Sequence, residues 1–83
     1  MMSMDTQTAS LGEFPLSFVE MGLACSAGRE GRLDLVEAHK WFNIAAANGD
    51  PAAARLREEL AEEMSREEIA AALRSAREWL SRH

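Results

Sequence analysis

The sequence predicts an all-α fold, and three features of its composition lead to that class. Alanine supplies 15 of the 83 residues and is accompanied by leucine, glutamate and arginine, which are strong helix formers. Only six residues are β-branched and tyrosine is absent, so the chain lacks the side chains that fill a β-sandwich or barrel. A chain this short forms one small domain at most. We expect residues 1–13, which are polar and without hydrophobic period, to be a disordered tail before a single domain at residues 14–83.

The first helix is predicted to begin near Pro15, a residue that suits the first turn of a helix, and to end at Gly28 and Gly31. Apolar residues recur in it at spacings of three and four, which is typical of a helix with one buried face. This stripe consists of Leu16, Val19, Leu23 and Ala27. A second apolar set, which widens the stripe, consists of Phe18, Met21 and Cys25.

The second helix is predicted to start at the N-cap Asp34, with Glu37 forming a capping-box-like pair, and to run to about Asn48, where Gly49 stops it. Apolar residues cover most of its circumference. The polar seam that remains consists of Glu37, Lys40 and Asn43. A helix that is apolar over most of its surface must lie between neighbours, so we expect this helix to be sandwiched.

The third and fourth helices have clear start signals. Asp50 followed by Pro51 predicts the start of the third helix, which is expected to end at Met64. The pair Ser65 and Glu68 forms the S-x-x-E pattern of a capping box and predicts the start of the fourth. The third helix carries the apolar stripe Ala53, Leu56, Leu60 and Met64. The fourth carries Ile69, Ala72, Leu73, Ala76, Trp79 and Leu80.

The connections between these helices are short, which predicts two αα-hairpins in series. Within residues 14–49, small and aromatic residues and a helix cap recur at positions that form a pattern. These positions are Met21, Gly22, Gly28, Asp34, Ala38, Trp41, Phe42, Ala45, Ala46 and Gly49. This pattern resembles the Sel-one-like repeat family, relatives of the tetratricopeptide repeat. Glu30 stands where that family has a second loop glycine, and Cys25 where it has a tyrosine. The resemblance implies a right-handed solenoid fragment, with one repeat followed by a degenerate half repeat and a C-terminal capping helix.

Packing of the first two helices can be anticipated from their residue sizes. Gly22 inside a helix costs about 0.5–1 kcal/mol relative to alanine, which is tolerable where a neighbouring helix approaches closely. Trp41 and Phe42 are adjacent and point about 100° apart. We therefore expect one ring to face the first helix and the other the third, with Trp41 as a core residue that touches both of these helices or their hairpin loops.

Composition also restricts the function. The net charge of −5 argues against non-specific nucleic-acid binding and against docking on an anionic membrane. No apolar run approaches the length of a membrane span, and the single cysteine, Cys25, points to a reducing cytoplasmic compartment. No catalytic residue or cofactor motif is found. His39 and Cys25 are too few ligands for a structural metal site, and we expect His39 to be a partly exposed helix residue.

Protein binding is the function that remains, and the resemblance implies scaffold or adaptor work, in bacteria often within multiprotein assemblies. The residues that could contact a partner are Phe14, Phe18, Met21, Trp79 and Leu80. Alternatively, the tail covers the first helix, and Trp79 and Leu80 close the core as a lid. The six glutamates of residues 58–68 form either a docking patch for a basic partner or a solvated face. Two alternative functions are a small accessory subunit of a larger bacterial enzyme and self-association.

Overall fold

The structure is a computed structural model that describes residues 17–28 and 34–83. These residues form four helices and no strand, which confirms the predicted all-α class. The helices are α1 (Phe18–Ala27), α2 (Leu35–Ala47), α3 (Pro51–Ala61) and α4 (Arg66–Arg82). The predicted tail at residues 1–13 lies outside the described residues, as do Phe14, Pro15, Leu16, Glu30 and Gly31.

Helix α1 begins at Phe18, later than the predicted start near Pro15, because Ser17 acts as its N-cap. The Ser17 hydroxyl accepts a hydrogen bond from the Glu20 backbone N–H at 3.1 Å, and the Glu20 carboxylate accepts one from the Ser17 N–H at 2.9 Å. This is the same S-x-x-E capping box that predicted the fourth helix, and at Ser17 the sequence analysis overlooked it. Gly28 ends α1 in the left-handed conformation with φ of 71°, as predicted.

The predicted limits of α2 are confirmed at both ends. The Asp34 carboxylate accepts a hydrogen bond from the Glu37 N–H at 3.0 Å, while the Asp34 N–H donates to the carbonyl of Cys25 at 3.1 Å. The second bond ties the start of α2 to the end of α1. Gly49, with φ of 97°, follows the C-cap residue Asn48.

Helix α3 starts at Pro51 as predicted, with the Asp50 carboxylate accepting from the Ala52 N–H at 3.0 Å. It ends at Ala61, three residues before the predicted end. The correction has a local cause, because the following residues continue as tight turns in which each N–H donates three residues back, as Met64 does to Ala61. Helix α4 then begins after Ser65 with the predicted capping box.

Helix α2 is the centre of the fold, and it packs against each of the other three helices. By contrast, α3 and α4 make few contacts with each other, as do α1 and α3. The prediction that α2 is sandwiched is therefore confirmed. The core is rich in alanine, and its largest fully buried side chains are Phe42 and Ile44. The alanines buried with them are Ala38, Ala45, Ala53, Ala72 and Ala76.

Gly22 allows a close approach between α1 and α2. It is buried, and a methyl group added at its Cα would overlap the Phe42 ring. This confirms the expectation that the glycine is tolerated because a neighbouring helix approaches it. It also fixes which side of α1 faces the core. Leu23, one residue on and about 100° around the helix, is consequently 39% exposed, and Ala27 is exposed as well. The predicted buried position of these two residues was wrong.

The capping box of α4 should be measurable in stability. We expect Ser65→Ala to lower the free energy of unfolding by about 1 kcal/mol, because the Glu68 N–H loses the hydroxyl that it donates to at 3.0 Å. Urea denaturation followed by circular dichroism measures this loss. Ser75→Ala, in the interior of the same helix, is the matched control and should be neutral or slightly stabilising. Equal effects at the two serines would contradict the assigned helix start.

Candidate functional site

An open groove runs between α1 and α3 and is floored by Phe42 of α2. It encloses about 300 Å³ and is lined by Leu23, Ser26, Leu35, Phe42, Leu56, Glu59, Leu60 and Glu63. The groove exists because α1 and α3 both pack on α2 but scarcely on each other. Five of its eight lining residues are apolar, and the other three are Ser26, Glu59 and Glu63.

The two walls of the groove come from local features of α1 and α3. On α1, Gly22 takes the position facing Phe42, which turns Leu23 and Ser26 toward the groove. On α3, Leu56 and Leu60 are four residues apart and thus lie on one face of the helix. Both leucines are half-buried, whereas Leu23 on the opposite wall is more than one-third exposed.

One rim of the groove is acidic. Glu59 of α3 and Glu63, in the turn that follows α3, line the groove together with the two leucines, and both are exposed. Within residues 17–28 and 34–83, neither carboxylate has an ion-pair partner and no basic side chain lines the groove. Arg57 of α3 donates a hydrogen bond to the Asn43 side chain at 2.6 Å. Among the residues that the structure describes, these two negative charges on the rim therefore have no ion-pair partner.

The other glutamates of residues 58–68 do not line the groove. Glu58, Glu62 and Glu67 are exposed, and Glu68 forms the capping box of α4. Two of the six residues weighed as a docking patch therefore belong to a concave apolar surface, and Glu68 has a local structural role.

Four aromatic side chains form a cluster on the α1, α2 and α4 side of the molecule. The rings of Phe18 and Trp41 stack with centroids 5.9 Å apart. Trp79 meets both edge-on, at 5.1 Å from Phe18 and 5.8 Å from Trp41. His83 stacks on the far side of Trp79 at 4.0 Å. The cluster thus joins the first and last helices to the central one. Its stacked and edge-on ring pairs have the geometries that aromatic side chains prefer.

This cluster changes the expected role of Trp41. The ring contacts of Trp41 are with α1 and α4, whereas the sequence analysis expected it to touch the first and third helices. It is Phe42 that faces α1 and lines a groove with α3, and Phe42 is the fully buried ring of the two. Trp41 is half-buried, with the Lys40 ammonium 4.3 Å from its ring centre.

The residues predicted to bind a partner differ in their burial and in their contacts. Phe18 and Trp79 are half-buried and contact each other within the aromatic cluster. Met21 is half-buried, and Leu80 is 38% exposed at the end of α4. Phe14 lies outside the described residues.

His39 is buried, with only 3% of its surface exposed, which corrects the expectation of a partly exposed residue. It lies one helical turn before Asn43, and Arg57 of α3 is near enough to influence its charge. Its Nδ1 atom has no hydrogen-bond partner in the part of the chain that the structure describes. Burial, reinforced by the Arg57 charge, lowers the pKa of His39 below its ordinary value of 6.5.

The lowered pKa of His39 predicts a loss of stability in mild acid. The unfolded chain binds a proton at the His39 ring near pH 6.5, whereas the folded chain binds it only at lower pH, so unfolding becomes easier as the pH falls through 6.5. We expect wild type to lose stability relative to His39→Leu between about pH 7 and about pH 5, as measured by urea denaturation. His83→Asn, the control for the other histidine, should keep this loss. The prediction would be contradicted if the difference in unfolding free energy between wild type and His39→Leu stayed constant from about pH 7 to about pH 5.

Other kinds of site were sought in the described residues. Among residues 17–28 and 34–83, no group of three or more histidine, cysteine, aspartate or glutamate side chains is arranged to hold a metal ion. No helix in this part of the chain is both long and apolar enough to cross a membrane.

Comparison with known proteins gives no assignment, because no protein-family model, curated protein or solved structure matches the chain. The resemblance to Sel-one-like repeats therefore stays a prediction that depends on the residues named above.

The groove was missed in the sequence analysis although part of its signal was present. Leu56, Glu59, Leu60 and Glu63 recur at helical spacings, which places two leucines and two glutamates on one side of α3. A face that alternates in this way between apolar and acidic residues indicates a surface only partly covered by the core. The α1 wall of the groove could not be predicted from the sequence, because it depends on how Gly22 orients α1 against Phe42.

Proposed function

We propose that this protein is a non-enzymatic protein–protein interaction module, a scaffold or adaptor, that binds its partner in the groove between α1 and α3. The observation that carries the proposal is the open apolar surface itself, with leucines on both walls and the Phe42 ring as its floor. Its volume of about 300 Å³ lies at the lower end of the range of ligand-binding clefts. Apolar grooves between helices are a recurring means of recognising a partner segment.

We further propose that the helices form a Sel-one-like solenoid fragment, in which α1 and α2 make one repeat, α3 a degenerate half repeat and α4 a cap. Gly22 packed on Phe42 and the buried Ala38 and Ala45 support this proposal, since these are positions of the matched pattern. Solenoid repeats bury their faces on neighbouring repeats, and a chain with so few repeats keeps uncovered surface for another protein. The single cysteine supports a cytoplasmic site of action.

Photo-crosslinking in the native cell tests the proposed function. A photoreactive phenylalanine replaces Leu23 in the groove, and in a second protein it replaces the exposed Arg74 of α4 as the control. We expect a specific crosslink to another protein from position 23 and none of that mass from position 74. Crosslinks from position 23 that reach only copies of this chain, or none at all, would rule out the proposal.

The same experiment distinguishes the adaptor from the accessory subunit. A subunit of a larger complex should be crosslinked in near-stoichiometric yield and co-purify with its partner. An adaptor should be crosslinked in a minor fraction of the molecules. The mass of the purified protein in solution addresses self-association.

A further inference from the structure

We propose that the occupant of the groove is a basic amphipathic helix from another protein, whose apolar residues face Phe42 and whose lysine or arginine side chains meet Glu59 and Glu63. This inference rests on the proposed function and adds the chemical class of the partner. Three properties of the groove lead to it: its mainly apolar lining residues, its acidic rim without an ion-pair partner among the described residues, and its small number of uncharged hydrogen-bonding groups.

The apolar lining sets the first requirement for the partner. Leucines lie on both walls, and the floor is an aromatic ring. A helix fills such a groove with residues spaced three and four apart, because these positions share one face. The partner therefore carries leucine-like residues at that spacing.

The acidic rim sets the second requirement, which is the sign of the charge beside those residues. Glu59 and Glu63 are four residues apart, one in the last turn of α3 and the other in the turn after it, and have no ion-pair partner among the described residues. Lysine or arginine side chains one turn apart on a facing helix match this spacing. The chain's own residues 1–16 carry Asp5 and Glu13 and no lysine or arginine, so their charge is repelled by the rim. A second copy, with a net charge of −5, is also a poor electrostatic match.

The scarcity of hydrogen-bonding groups favours a helix over an extended peptide. The one uncharged polar residue in the lining, Ser26, uses its hydroxyl to donate to the Leu23 carbonyl at 3.1 Å. An extended segment would bury backbone N–H groups there with nothing uncharged to accept their hydrogen bonds, and such burial is costly. A helix satisfies its own backbone and needs only apolar contact and charge pairing.

Binding of designed peptides to the full-length protein tests this proposal. The basic probe is an 18-residue helical peptide with leucines at positions i, i+3, i+4 and i+7 along one face and lysines beside them. Its acidic counterpart has glutamate for every lysine, and a scrambled basic peptide keeps the composition without the period. We expect calorimetry at low salt to show binding of the basic peptide about tenfold tighter than that of either control, with an affinity that falls as salt is added.

Two charge-reversal variants with the same change in net charge locate the contact. The Glu59→Lys and Glu63→Lys double variant should bind the basic peptide about tenfold more weakly and prefer the acidic one. The Glu58→Lys and Glu62→Lys double variant changes exposed residues on the same helix outside the groove, and it should stay within about threefold of wild type. Thermal melts confirm that each variant is folded before its affinity is compared.

The outcomes that overturn the proposal leave the proposed function separately testable. Equal affinity for the basic and acidic peptides, no binding of the basic peptide to the folded protein, or equal losses in the two double variants would each overturn it. So would crosslinks from position 23 that map to residues 1–16 or to a second copy. If position 23 instead crosslinks another protein through a segment without basic residues, the interaction module stands and the basic helix does not.

Discussion

Truncating Phe42 to alanine is expected to lower the free energy of unfolding by about 3–5 kcal/mol. The ring is 2% exposed, lies against Gly22 of α1 and forms the floor of the groove that α3 borders. Its removal leaves a cavity at the point where α1 meets the central helix. A small domain has only about 5–15 kcal/mol of stability in total, so Phe42→Ala should melt far below wild type or fail to fold at 37 °C. Urea denaturation of both proteins measures the difference.

Two other substitutions make this result specific to Phe42. Phe42→Leu keeps most of the apolar volume and should cost about 1.5 kcal/mol or less. Trp41→Ala removes a larger ring, but one that is only half-buried and packs in the aromatic cluster with Phe18 and Trp79. We expect it to cost at least about 1 kcal/mol less than Phe42→Ala. If Trp41→Ala proves the more damaging change, the principal buried anchor of α2 is Trp41, as its match to the repeat pattern had suggested.

Helix existence and helix ends were predictable because their causes lie within a few residues of each other. Asp34, Asp50 and Ser65 each accept a hydrogen bond from a backbone N–H two or three residues later, and Gly28 and Gly49 have the positive φ angles that end helices. The mostly apolar circumference of α2 likewise predicted its central position. These features need no knowledge of the rest of the fold.

The orientation of α1 was not predictable, because it depends on a contact between two helices. Counting Leu23 into the buried stripe follows the usual spacing rule, yet the Phe42 ring fills the space beside Gly22 and turns Leu23 to the groove wall. His39 was misplaced for a related reason. The sequence does not show that α3 lies close to this side of α2, and a neutral imidazole can be buried there.

The groove was the least predictable feature, because it is a gap between elements. It requires α1 and α3 to share α2 as a support while staying apart from each other, and no residue pattern encodes a gap directly. Only two parts of it were visible in the sequence: the apolar stripe of the third helix, and the acidic rim as part of a glutamate cluster whose other members face solvent or cap a helix.

A larger side chain at Gly22 should destabilise the protein nearly as much as truncation of Phe42 does. We expect Gly22→Val to lower the free energy of unfolding by about 3 kcal/mol, at the upper end of the cost of overpacking, because the new side chain overlaps the Phe42 ring. Valine has a higher helix propensity than glycine, so an effect of helix propensity alone would stabilise the protein. The free energy of unfolding of Gly22→Ala should lie between those of wild type and Gly22→Val. Urea denaturation of the three proteins gives this order.

A double-mutant cycle assigns the cost at Gly22 to the Phe42 ring. In the Gly22→Val and Phe42→Ala double variant, the valine side chain occupies part of the space that the ring vacates. Its destabilisation should be smaller than the sum of the two single effects by about 1–3 kcal/mol, the coupling expected of residues in direct contact. Additive effects would mean that the two residues do not meet, and the groove floor and the orientation of α1 would then both be wrong. Strong coupling would establish that this one contact fixes α1 on α2 and thereby turns Leu23 toward the groove.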